Sequence, residues 1–190
     1  MAKVGIEKLY YVLLTKDDAE SLTYGTPKYL AGVREINIKP ATSTEKLYAE
    51  NKIWEQETVL SEIQVDIDIA DLTNDDLSIL VGHKKASQGG IIGNESDNAP
   101  YVALLVKANK TNKQARYLCL YKGKFTLPED SAKTKEDKTE YQTPKISGIF
   151  QPTIKDGNWK YQVDTDDEDC PEDIDTSFFA SVIIPTIPTP

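Results

Sequence analysis

The chain has 190 residues, with 22 basic and 31 acidic side chains, a net charge of −9 and a pI near 4.7. That length fits one domain with extended arms or loops. The acidity repels phosphate at long range and argues against a conventional DNA- or RNA-gripping role. The charge is also unevenly spread: residues 1–99 hold 10 bases against 17 acids, residues 100–163 hold 12 against 6, and residues 164–190 hold none against 8. Segments of opposite sign can meet within one subunit or between copies of it.

In chain order, Lys3 and Lys8 are followed by no long apolar stretch, and nowhere do about 18 apolar residues run together, so neither a leader nor a membrane anchor is expected. Arg34-Glu35-Ile36-Asn37-Ile38 alternates weakly, and Pro40, which cannot donate to a ladder, is expected to stop that strand. About twenty residues then join it to the next one, a long loop over about 40–60 or, if drawn out as a hairpin arm, a reach of about 33 Å. Tyr48 and Trp54 would be the adhesive groups of such an arm, since aromatics anchor interfaces.

Glu62-Ile63-Gln64-Val65-Asp66-Ile67-Asp68-Ile69 alternates strictly and predicts a strand with one buried and one wet face. Thr73 followed by Asn74, Asp75 and Asp76, with Leu77, Leu80 and Val81 before Gly82, predicts a short capped helix that plugs an open side of the β-core. Gly89, Gly90 and Gly93 lack a phosphate-loop lysine and read as a turn. The run from Tyr101 to Ala108 predicts a strand covered on both faces. From Ala115 to Leu127, Tyr117, Cys119, Tyr121 and Phe125 alternate with Arg116, Lys122 and Lys124, although Leu118 and Leu120 interrupt the polar face. The charged stretch from Glu129 to Glu140 reads as exposed. A strand over Lys145–Gln151, a turn at Asp156-Gly157-Asn158 and a strand over Trp159–Val163 follow. Pro171-Glu172-Asp173 leads into a second possible helix with Phe178, Phe179 and Val182, and residues 183–190 form a Pro/Thr-rich extended tail.

Little here supports catalysis. His83 is the only histidine, and its place after Gly82 favours a contact at the helix end over a catalytic pair. Cys119 and Cys170 have no zinc spacing and are expected to stay reduced. Asp66 and Asp68 lie on one strand face about 7 Å apart with no sign of a cleft around them. Asp164, Asp166, Asp167, Glu168 and Asp169 offer calcium-type oxygens but lack the glycine and terminal glutamate of an EF-hand loop. The preferred reading of these five is charge contact with the basic segment 100–163, within the chain or across a subunit boundary. No enzyme activity, cofactor or metal is expected.

Gly5-Ile6-Glu7-Lys8-Leu9-Tyr10-Tyr11, Glu45-Lys46-Leu47-Tyr48-Ala49-Glu50, Asn98-Ala99-Pro100-Tyr101-Val102-Ala103, Tyr121-Lys122-Gly123-Lys124-Phe125 and Asp156-Gly157-Asn158-Trp159-Lys160-Tyr161 carry a resemblance. In this order they resemble the major tail (tail-tube) proteins of long-tailed, non-contractile phages and prophages of Gram-positive bacteria. The resemblance implies a mostly β fold: a tail-tube-type β-sandwich or barrel over residues 1–182, with one short flanking helix, a long stacking loop and an extended C-terminal segment. It implies hexameric rings stacked into a tube, assembled in the host cytoplasm as part of the virion tail. Tape measure, tail terminator and distal tail proteins are the implied partners, and DNA passes through without specific binding.

On that scheme Thr42, Lys46, Tyr48, Glu50 and Trp54 are candidates for inter-ring stacking. Glu62, Gln64, Asp66 and Asp68 are candidates for an acidic lumen lining, which would repel phosphate and keep water between wall and duplex. Asp164, Asp166, Asp167, Glu168 and Asp169 are candidates for inter-subunit charge contacts. The alternative is a β-sandwich decoration or carbohydrate-binding module, which would display clustered exposed aromatics on one face.

Overall fold

The apolar run predicted as a doubly covered strand lies inside a large antiparallel sheet, with a strand on each side, and its alternate side chains enter two different cores. The computed structural model describes residues 3–129 and 143–186. Its elements are β1 (Lys3–Asp17), β2 (Leu22–Tyr24), β3 (Lys28–Tyr29), β4 (Val33–Ala49), β5 (Lys52–Ile69), α1 (Asn74–Val81), β6 (Lys84–Lys85), β7 (Ile91–Ile92), β8 (Val102–Lys110), β9 (Ala115–Phe125), β10 (Lys145–Phe150), β11 (Lys160–Asp164) and α2 (Ile174–Ala180). The main sheet runs β2-β1-β8-β9-β10-β5-β4, with β3 also on β1 and β11 also on β9. The stretch 130–140, read as exposed, lies outside the described residues, as does the end of the Pro/Thr tail.

Val102, Leu104 and Val106 of β8 point into the first core with Leu9 and Tyr11 of β1, Ile63, Val65, Ile67 and Ile69 of β5, Ile146 and Phe150 of β10, and Leu80 and Val81 of α1. Strands far apart along the sheet therefore share one core, so the sheet folds over on itself in a sandwich-like bend. It is not a closed barrel. Ala103 and Leu105 point the other way, into a second core with Tyr117, Cys119, Tyr121, Val163 of β11 and Ile174 and Phe178 of α2. The helix read near residues 171–182 thus exists, and it covers the back of the sheet.

A bulge in β9 explains why its pattern is mixed. Val102 pairs with Gly123 but Leu104 with Leu120, so one extra β9 residue lies between the two pairs. Before the bulge Tyr117, Cys119 and Tyr121 face the second core; after it Phe125 faces the first. Gly123 is required there, because a Cβ would lie 2.4 Å from Cγ of the buried Phe150 ring. The bulge also divides the edge of β9: β11 pairs with residues 116–120 and β10 with residues 123–125.

Helix α1 has the predicted signals. Thr73 accepts from the Asp76 N–H at 3.1 Å, and Gly82 closes the helix in the left-handed region at φ 79°. Asp76 also accepts from Tyr11 Oη at 2.8 Å and lies 2.8 Å from Lys28 Nζ, which ties the helix to β1 and β3. His83 contacts Asp97 at 2.7 Å across the following loop, and Gly89 and Gly90 form the tip of the β6–β7 hairpin.

One expectation fails. Pro40 does not stop its strand: β4 runs through it to Ala49, with Pro40 opposite Ile63. β4 is the last strand of the sheet, and an edge strand directs every second N–H away from the ladder, so a proline can be accommodated. Residues 40–60 are accordingly a hairpin and not an irregular loop.

Candidate assembly interface

The outer halves of β4 and β5 leave the body as a two-stranded arm. Ladder pairs continue from Thr42↔Leu60 through Thr44↔Thr58, Lys46↔Gln56 and Tyr48↔Ile53 to Ala49↔Lys52, closed by Glu50 and Asn51 at φ 52° and 61°. Two successive residues at positive φ are the signature of a type I′ turn, which matches the twist of a hairpin. The nine residues from Ala41 to Ala49 span roughly 30 Å at about 3.3 Å each. All five candidates on this segment, Thr42, Lys46, Tyr48, Glu50 and Trp54, are thus gathered on one projecting element.

Near the tip of the arm the ladder skips Trp54. Leu47 pairs with Glu55 and Tyr48 with Ile53, leaving Trp54 as a bulge near the tip, 70% exposed. A bulge re-aims a side chain away from the regular alternation. Tyr48 is 64% exposed, Leu47 and Ile53 are exposed near it, and Val59 is exposed farther down the arm, opposite Ser43. These three were missed in the sequence because apolar residues on an arm answer to no core periodicity. Glu45 stands directly opposite Glu57, a like-charge pair that does not favour the isolated hairpin.

The second candidate surface is the wet face at the base of the same hairpin. Ile63, Val65, Ile67 and Ile69 are buried, so Glu62, Gln64, Asp66 and Asp68 share the opposite face as expected. That face is less acidic than the β5 sequence alone suggests. Lys39 Nζ lies 2.8 Å from Asp66, which also accepts from Ser147 Oγ at 2.7 Å and Gln64 Nε2 at 3.0 Å. The Lys39 ammonium, followed by the Ser147 hydroxyl, lowers the pKa of Asp66 to about 2. Arg34 is 3.7 Å from Asp68, and Lys145 stands beside Asp68 in the β10 register. The cations come from β4 and β10, and only strand register brings them to the carboxylates.

The acidic segment after β11 makes part of its contacts within the chain. Asp164 binds Arg116 through two bonds of 2.6 and 2.5 Å and Lys110 at 2.9 Å. The Arg116 guanidinium holds its carboxyl far below the usual range, against the cost of burial. Asp166 bonds Lys110 and Asn112, and Asp167 accepts from the Asp164 N–H. Glu168 and Asp169 are exposed. Asp164, Asp166 and Asp167 lie close enough together for a cation, but Lys110 and Arg116 already supply positive charge there.

The large aromatics do not gather on one exposed face: Tyr11, Tyr117, Tyr121, Phe150 and Phe178 are fully buried. A model of the phage tail tube protein family matches residues 22–154. The chain belongs to the phage tail tube protein family. Curated proteins give no match. As a phage tail tube protein it is a structural component of the virion tail that assembles with copies of itself into a tube. Among the described residues of this tail tube protein, no helix is long and apolar enough to cross a membrane. The matched residues contain the arm and its base but stop before β11, the acidic segment and α2.

Proposed function

We propose that this subunit closes into hexameric rings that stack into the tail tube, with the β4–β5 arm reaching the adjacent ring. The polar face at the base of the hairpin, with Glu62, Gln64, Asp66 and Asp68, lines the bore through which DNA enters the host. The hexameric order follows the family resemblance. The observation that carries the reading is the arm: two strands of nine or more residues with exposed Leu47, Tyr48, Ile53, Trp54 and Val59 that the body does not cover. An isolated two-stranded ribbon is marginal in water, so an arm of this length gains its stability from a neighbour. Joining edge strands such as β4 between subunits also removes the exposed ladder groups that otherwise invite uncontrolled aggregation. The tape measure, tail terminator and distal tail proteins would then meet the tube along its bore and at its two ends.

Electron microscopy tests this reading. The purified protein, concentrated with tail-assembly partners, is expected to form hollow rings or tubes with sixfold end views. Persistent monomers under those conditions, or tubes formed equally well by Trp54→Ala and Tyr48→Ala together, would overturn it.

A further inference from the structure

The hairpin base poses an electrostatic problem for a conduit. If its polar face lines the bore, cations on that face stand where phosphates pass, and the face carries Arg34, Lys39, Lys124 and Lys145 along with Glu35, Glu62, Asp66 and Asp68. Lysines repeated around and along a bore would bind the duplex and stall it. Lys39 is 61% exposed, yet its ammonium is turned along the wall onto Asp66.

Asp66 is unusually well placed to hold it. Its neighbours in register are Asn37 on β4 and Ser147 on β10, and Lys39 reaches it diagonally from the adjacent row. Gln64 and Ser147 both donate to the same carboxylate, at 3.0 and 2.7 Å, so its orientation is fixed from two strands before the lysine arrives. Exposed ion pairs usually cost side-chain entropy for little return. A carboxylate already oriented by two neutral donors removes its half of that cost. Gln64 and Ser147 therefore act through Asp66, as positioning residues.

We propose, resting on the reading that this face lines the bore, that Asp66 is a cation-masking residue: it holds the Lys39 ammonium against the wall, so that passing DNA meets a charge-balanced surface with no free lysine at this position. The carboxylate's function is then local capture of a cation, in addition to any long-range repulsion of phosphate.

Two measurements separate the masking from the placement. In the unassembled subunit the face is open wherever it lies in a tube, so duplex DNA binding is compared at low salt for the wild type, Asp66→Asn and the double variant Asp66→Asn/Lys39→Gln. Asp66→Asn is expected to bind a short linear duplex at least about tenfold more tightly, with the gain lost as salt rises. The double variant is expected to return to wild type. No gain in Asp66→Asn, or a gain that survives removal of Lys39, overturns the masking. Asp66→Ser, which leaves a hydroxyl for Ser147, is the second route should the amide disturb the sheet. In assembled tubes, Asp66→Asn should retain linear duplex but not closed circular plasmid, which cannot thread a bore. Retention of both would overturn the placement in the lumen while leaving the masking intact.

Discussion

At the scale of single residues, the most informative contact is one whose lysine reads in the sequence as part of a polar face. Lys122 lies at the β9 bulge, and its ammonium is 2.6 Å from Asp17 at the end of β1; the two side chains are only 6% and 4% exposed. Asp17 also accepts from the N–H groups of Ile154 and Lys155, at 3.0 and 3.3 Å, and so pins the chain between β10 and β11 to the body. Burial works against the Asp17 charge, but Lys122 and the two N–H donors outweigh it and hold the pKa below its ordinary value near 3.8. A carboxyl with a depressed folded-state pKa adds stability above its unfolded pKa, and that stability is lost as pH falls through the folded value. Asp17→Asn removes the charge and leaves Lys122 buried without its counterion, which should cost about 3 kcal/mol at pH 7. Urea denaturation at pH 7 and again near pH 2 checks this. The gap between wild type and variant should narrow in acid, where the wild-type carboxyl is also being protonated, and an equal gap at both pH values would refute the account.

At the scale of elements, the arm and the body answer to different physics. Residues 43–59 contribute no side chain to either core, so replacing them with Asn-Gly between the paired Thr42 and Leu60 should leave the body intact. The expected result is a thermal midpoint within about 2 °C of wild type, because no buried contact is lost, together with complete loss of tubes in electron micrographs. A large drop in the midpoint would mean that the arm supports its own subunit. The same division decides what could be read from the sequence. β5 was legible over 62–69 because one face is wet and the other buried, and β8 because both faces are apolar. β1 was hidden although it is 15 residues long. Leu9 and Tyr11 serve one core while Tyr10 and Val12 face the other, and register shifts between Lys3 and Gly5 and between Ile6 and Lys8 break what alternation remains. β3, β6 and β7, at two residues each, are shorter than any period can reveal. For the candidate site, the carboxylates of β5 stood out in one run, but Lys39 and Arg34 lie some thirty residues earlier and meet them only through the ladder.

At the scale of the whole molecule, the charge blocks that the sequence shows as separate segments are partly folded together. The acidic end meets the basic middle within one chain: Asp164 with Arg116 and Lys110, and Asp175 with Lys107 at 2.7 Å and with Tyr117. These contacts seat β11 and α2 against β8 and β9, and so close the second core. The acids therefore divide into two groups with different predicted behaviour. Asp164 is buried between two cations, so Asp164→Lys should cost about 3 kcal/mol or more and lower the thermal midpoint of the subunit itself. Glu168 and Asp169 are exposed, so Glu168→Lys/Asp169→Lys should alter subunit stability by no more than about 0.5 kcal/mol. If the proposed charge contacts across the subunit boundary hold, the double variant should still assemble poorly, or only in salt that screens the reversed charges. Thermal melting of the monomer and tube yield across a salt series separate the two effects. Wild-type tube growth from Glu168→Lys/Asp169→Lys at low salt would confine the acidic segment to closing its own subunit.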